Sequence, residues 1–266
     1  MLRDITLGQY YPTKSVLHRL DPRVKLLGTM VFLISMFLFQ NITGYVVATI
    51  FLVSMILLSR VPFSFMVRGL RAVVILLLIT VLLNLFATPG TPLFSFWKIT
   101  ITKEGIRAAL FMMFRLIYLI IGSSIMTLTT TPNNLTDGME KALSGLSKIK
   151  VPVHEIAMMM SIALSFIPIL LEETDKIMKA QMARGADFES GNIFKRVKNM
   201  VPLLVPLFIS AFRRANDLAL AMEARCYHGG SGRTKMKPLK YHGRDFAAYA
   251  ILALYLAAII VLPRVV

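Results

Sequence analysis

Residues 106–128 read IRAALFMMFRLIYLIIGSSIMTL. Crossing the hydrocarbon of a bilayer takes roughly 17–25 mostly apolar residues in one helix, and this run meets that length. Four more runs, residues 24–40, 44–58, 72–87 and 246–262, approach or meet it. The expected fold is therefore an all-α polytopic membrane protein with about five transmembrane helices. Across 266 residues, 56% are hydrophobic and 17% charged, with a mean hydropathy of +0.67, outside the range of ordinary soluble domains. Apart from Lys25 at the start of the first run, the ionisable exceptions within the spans are Arg107 and Arg115. Arg115 either lines a protein interior or snorkels, and it serves either helix packing with a buried partner or a functional role.

The formal net charge of +16 is carried by basic residues between and after the apolar runs, where anionic lipid and the positive-inside rule place them, so no nucleic acid is expected as a partner. Lys14, His18, Arg19 and Arg23 precede the first run, and Arg60, Arg68 and Arg71 lie between the second and third. This asymmetry predicts a cytoplasmic N-terminus, and residues 1–10, with acid, turn and polar residues where a signal peptide needs an apolar core, predict no cleaved signal. It also predicts an outer loop over residues 88–104, with Trp97 at the interface. A single cysteine, Cys226, excludes an internal disulfide and any cysteine metal cluster.

After Leu128 the composition changes. The chain divides into a four-span part over residues 1–130, a cytoplasmic-side coupling domain over 131–245 and a last span over 246–266. From Glu172 to Asp245 there are fourteen Lys or Arg against eight Asp or Glu, costly to carry through a bilayer. A short helix is expected near residues 135–146. Two long ones follow, over 153–184 with a bend at Pro168 and over 203–228 starting after Pro202. Their upstream halves are apolar and their downstream halves charged, so each begins in lipid and ends in cytosol. Small residues recur at four-residue spacing, Ala157, Ser161 and Ser165 on the first and Ala211, Ala215 and Ala219 on the second. Such stripes let helices cross closely, although alanine is also simply a good helix former.

Both long helices end alike, in Ala183-Arg184-Gly185 and in Ala224-Arg225-Cys226. A cation suits the negative end of a helix, and a glycine just beyond supplies a left-handed cap. Two such endings 41 residues apart suggest a paired device that presents two guanidinium groups, each a planar fork suited to acidic or carbonyl-lined pockets on a partner.

Other chemistries lack their parts. There is no Gly-Lys pair for a nucleotide-phosphate cradle, and residues 229–234 look phosphate-like but lack the lysine. His154-Glu155 has no second histidine four residues on, so no zinc helix forms. The acids are scattered as paired or solvated faces rather than clustered for catalysis. Seventeen methionines suit either a core or a surface that repacks against several partners.

These pieces resemble the transmembrane scaffold, or T component, of energy-coupling factor transporters (EcfT/CbiQ family), which are ABC-type importers of vitamins and metal ions. The resemblance rests on the segment His18-Arg19-Leu20-Asp21-Pro22-Arg23-Val24-Lys25-Leu26, on the two Ala-Arg endings, on Phe212-Arg213-Arg214-Ala215-Asn216-Asp217 and on Gly232-Arg233-Thr234. It implies a non-catalytic subunit whose two coupling helices cross and dock Arg184 and Arg225 into two cytoplasmic ATPase subunits. A separate membrane S component would capture the substrate. ATP and magnesium would reside in the ATPases, with no cofactor or metal bound by this chain, and the complex would sit in the cell membrane of a prokaryote. Cys226 departs from the small residue or glycine of many relatives. Rival readings are a solitary secondary carrier or channel and, less favoured by the scattered acids, a membrane-embedded lipid-modifying enzyme.

Overall fold

The computed structural model describes residues 10–39, 41–96, 99–188, 192–229, 236 and 238–265. The elements are α1 (Pro22–Ser35), α2 (Ile42–Ser59), α3 (Phe63–Ala87), β1 (Pro92–Phe96), β2 (Ile99–Thr102), α4 (Lys103–Thr129), α5 (Pro132–Ala142), α6 (Val153–Ala183), α7 (Ile193–Ala224) and α8 (Gly243–Val265). The protein is all-α apart from the antiparallel pair β1–β2, in which Ser95 faces Thr100 and Phe96 faces Ile99. This pair falls in the expected outer loop, where β-branched and aromatic residues alternate and favour extended backbone. Trp97 lies outside the described residues, as do Gly232, Arg233 and Thr234.

Among the described residues, four helical stretches are long and apolar enough to cross a membrane: α2, α4, α6 and residues 243–262 of α8, with Val73–Phe86 of α3 as a shorter apolar segment. The first apolar run is shorter as a helix than its sequence suggests, because α1 has 14 residues, about 21 Å at 1.5 Å per residue. It stops where the Ser35 hydroxyl donates to the Phe32 carbonyl at 2.7 Å and the next turns tighten, Phe37 N–H donating to Ile34 at 3.0 Å and Leu38 N–H to Ser35 at 3.0 Å. The helix expected near 135–146 starts earlier, with Pro132 in its first turn, where its missing N–H costs nothing. It ends at Ala142 and gives way to a 3-10 turn over Leu143–Ile149.

Contacts divide the chain into two units. The larger holds residues 8–141 and 239–266, and its core joins α1, α2, α4 and α8. Phe51 stacks on Tyr255 with centroids 4.2 Å apart, and the Tyr255 hydroxyl is 2.8 Å from that of Ser35. Tyr45 stacks on Phe111 and donates to its carbonyl at 3.0 Å. A methyl group on Gly122 would sit 2.6 Å from Phe32, so glycine is what lets α4 approach α1.

The polar segment ahead of α1 is a clasp. Asp21 caps the helix, its Oδ1 accepting from Arg23 N–H at 2.9 Å, and its carboxylate holds the Arg23 guanidinium at 3.0 and 2.8 Å. Burial opposes the charged form of Asp21, but these Arg23 bonds prevail and hold its carboxyl below the usual carboxylate range. Asp245 is 1% exposed. Its Oδ1 accepts Asp21 N–H at 2.9 Å and its Oδ2 accepts His242 N–H at 2.8 Å, so one carboxylate satisfies the backbone at the starts of both α1 and α8. Lys25 Nζ donates to the carbonyl of Thr129 at 2.9 Å, tying α1 to the end of α4.

Candidate functional site: the paired ends of α6 and α7

The second unit, described here between residues 142 and 238, carries α6 and α7. Helix α6 runs from Val153 to Ala183 with Pro168 inside it, matching the expected 153–184. Helix α7 corrects the expected 203–228: it begins at Ile193, ends at Ala224 and carries Pro202 and Pro206 in its interior. A proline removes only its own N–H from the ladder and crowds the preceding turn. The helix-compatible residues upstream, Asn199, Met200 and Val201 among them, continue the helix through both.

The two C-termini are built identically. At the end of α6, Gly185 N–H donates to Met182 and Ala186 N–H to Gln181, both at 3.0 Å, and Gly185 is left-handed with φ +87°. At the end of α7, Cys226 N–H donates to Glu223 at 2.9 Å and Tyr227 N–H to Met222 at 3.1 Å, and Cys226 is left-handed with φ +54°. This is the same pair of bonds, from the first and second residues past the cap to the second and third last helical carbonyls. Arg184 and Arg225 occupy the cap position in each. Ala183, Arg184, Gly185, Ala224, Arg225 and Cys226 are all exposed. The left-handed residue after Arg225 is therefore Cys226 itself, not one of the glycines further on.

The helices pack against each other, and an ion pair crosses between them, Arg214 Nη2 to Glu173 Oε2 at 3.3 Å. Glu173 stands eleven residues before Arg184, and Arg214 stands eleven before Arg225. Eleven residues make about three turns and 16 Å, so each arginine returns to the azimuth of the bridge residue on its own helix, at the same reach. The bridge and the tips share the 41-residue offset, a relation present in the sequence that pairing by charge would have exposed. The Asn199 amide also donates to the Asp187 carbonyl at 2.6 Å, tethering the chain that leaves the first tip to α7.

Of the small-residue stripes, Ala157 is buried and Ser161 partly covered, while Ser165 is exposed; Ala211 is partly covered, while Ala215 and Ala219 are exposed. The covered face of α7 runs instead through Leu203, Leu207, Ser210, Arg214, Leu218 and Met222, the three-to-four spacing of a packed helix face.

A multi-pass helical membrane protein with a matched pair of outward-facing arginine tips is the class that fold and site define. The chain belongs to the CbiQ family, described as cobalt transport protein, whose model matches residues 13–236. It is 54% identical over 267 residues to the energy-coupling factor transporter transmembrane protein EcfT of Clostridium kluyveri, covering 100% of this chain and 98% of that one. It is 53% identical to the EcfT of Thermosediminibacter oceani over 93% of this chain and 94% of the relative. With the EcfT of Bacillus subtilis identity is 48% over 99% of this chain and 100% of the relative.

Proposed function

We propose that this chain is the transmembrane energy-coupling subunit of an energy-coupling factor importer for a vitamin or metal ion. It catalyses nothing itself. Arg184 and Arg225 each dock into one of two cytoplasmic ATPase subunits, which bind ATP and magnesium. Closure of the ATPases moves the docking pockets, the tips carry that motion into α6 and α7, and the apolar upstream halves of these helices reorient a membrane S component that holds the substrate. The N-terminus lies on the cytoplasmic side of the cell membrane.

The single observation that carries this reading is the duplicated helix ending, exposed and set at equal reach beyond the Glu173–Arg214 bridge. An exposed arginine contributes little to its own fold, and a second copy in the same backbone geometry points to a repeated partner. The test is co-purification. Arg184→Ala or Arg225→Ala should each weaken retention of the ATPases, and Arg184→Glu with Arg225→Glu should abolish both retention and uptake while membrane insertion persists. Wild-type ATPase retention by the double variant would remove the role. A solitary carrier, channel or enzyme would travel without ATPases in every case.

A further inference from the structure

Arg115 is a charge that its own unit leaves unsatisfied. It lies midway along α4, on an element long and apolar enough to span the membrane. Its Nε is buried without a hydrogen-bond partner. Among the described residues its one hydrogen bond is a long one, Nη2 donating to the Phe39 carbonyl at 3.4 Å, and its Cζ lies 5.5 Å from the centroid of Phe37. A guanidinium left unpaired on a membrane-spanning helix is costly, and it is drawn toward the polar surface of the bilayer.

Among the described residues the unit offers no counter-ion there. Asp21 and Asp245 are consumed in the clasp at the opposite end of α1. Glu104 is bonded to Thr91 at 2.8 Å, and Asp137 and Glu140 lie on α5, past the other end of α4. Positive charge accumulates instead. Since Lys25 meets Thr129 and Phe39 meets Arg115, α1 lies along the C-terminal half of α4. Its N-terminal half, bearing Lys103 and Arg107, runs on past the α1–α2 turn by about 18 Å. Arg107 is exposed, its Cζ 5.3 Å from the centroid of Phe111. The rim around Arg115 is apolar and outward-facing, with Phe37 63%, Leu38 58% and Phe114 42% exposed.

We propose that Arg115, at the α1–α2 turn, binds the phosphate of an anionic phospholipid, with Arg107 as the next cation along the same helix. The phosphodiester accepts from the terminal Nη groups, whose hydrogen bond to Phe39 is a long one. The acyl chains cover Phe37, Leu38 and Phe114, which a free anion would leave bare.

Native mass spectrometry of the full chain in dodecylmaltoside, titrated with phosphatidylglycerol, phosphatidylcholine or inorganic phosphate, tests this. Wild type should retain one phosphatidylglycerol more tightly than phosphatidylcholine, and Arg115→Gln should weaken that binding about tenfold, the loss of a charge-assisted hydrogen bond. Arg184→Gln should bind as wild type does. Should Arg115→Gln fail to fold, Arg115→Lys carries the test, since it keeps the charge and loses the planar fork; unchanged phosphatidylglycerol binding then overturns the assignment. Equal retention of phosphatidylcholine, or inorganic phosphate competing lipid away at equal concentration, overturns it too. So does an Arg115→Gln chain that binds lipid normally and loses a co-purifying membrane protein, because the partner is then a carboxylate on that protein. ATPase retention is read separately and is unaffected by any of these outcomes.

Discussion

Arg23 and the pair Arg184 and Arg225 place the same side chain at helix ends to opposite effect. Arg23 sits in the first turn of α1, the end where the helix dipole disfavours a cation. It is held there by Asp21 at 2.8 Å with 16% of its side chain exposed, and by the face of Tyr241 3.8 Å away. Arg184 and Arg225 sit at C-termini, where the dipole favours them, and stand exposed with no such cage among the described residues. The clasp charges are engaged within their own fold, whereas the tip charges stand exposed at their helix ends. Removing a clasp charge should therefore damage stability, and removing a tip charge should damage assembly.

The largest effect that would break this contrast is at Asp245. Replacing it with alanine strands the backbone N–H of Asp21 in the interior, at about 1–3 kcal/mol, and removes the bond to the partly covered His242 N–H at the start of α8, at about 0.5–1.5 kcal/mol. Thermal unfolding in detergent should fall by roughly 5–20 °C, or the chain should not accumulate. Arg184→Ala and Arg225→Ala should stay within about 2 °C of wild type. A clasp variant as stable as a tip variant would erase the distinction between the two regions.

A second variant sharpens the account of the tips. Glu173→Arg sets like charges against each other where α6 meets α7, so the two tips lose their common reference and ATPase retention should drop severalfold. Glu173→Arg combined with Arg214→Glu rebuilds the pair reversed and should restore most of it. If the double variant behaves as badly as the single one, the bridge does not fix the spacing of the tips.

How much of this was legible in the sequence depended on how local the cause was. Helix α6 was bounded within a residue because Pro152 and Gly185 punctuate it. Helix α7 was cut ten residues short, because a proline pair reads as a start when the upstream turns that carry the helix through are ignored. The tips were legible as motifs, since a cap needs only neighbours in sequence. The bridge between Glu173 and Arg214, the sharing of Asp245 by two helix starts and the isolation of Arg115 depend on residues brought together from 41, 224 and 76 positions apart, which no local pattern announces. The covered face of α7 was missed for a related reason: Ala211, Ala215 and Ala219 lie one position from Ser210, Arg214 and Leu218, the residues that pack.

Acid should also act on the clasp and spare the tips. The His18 Nε2–H donates to the Tyr11 carbonyl at 3.0 Å, and the Ser15 hydroxyl donates to Nδ1 at 2.7 Å. Burial pushes the His18 pKa below the ordinary 6.5, outweighing the Tyr11 carbonyl, which favours the protonated ring, and nearby Lys25 adds to the lowering. Below that ordinary value the unfolded chain takes up the proton first. The stability contributed by His18 is thus complete above about 6.5 and is lost as pH falls from there through its folded value. Asp21, also lowered, contributes stability that is present above its ordinary 3.8 and lost as pH falls through its folded value. Unfolding temperatures measured from pH 7.5 to 5 should decline for wild type and flatten for His18→Gln. A decline of equal slope in both would assign the acid sensitivity elsewhere.

The smallest effect tests whether the two tips are one device. Both endings use the same two hydrogen bonds, yet one places glycine and the other Cys226 in the left-handed region, where a side chain costs about 1 kcal/mol. Cys226→Gly should therefore raise stability by about 0.5–1 kcal/mol, a rise of a few degrees at most. Gly185→Ala should lower it by a similar amount. Neither substitution touches a guanidinium, and neither changes which carbonyls the cap satisfies, so ATPase retention should hold in both. If Cys226→Gly stabilises the chain but weakens docking, the thiol contributes a contact of its own, and the α7 tip is read by its partner through more than Arg225.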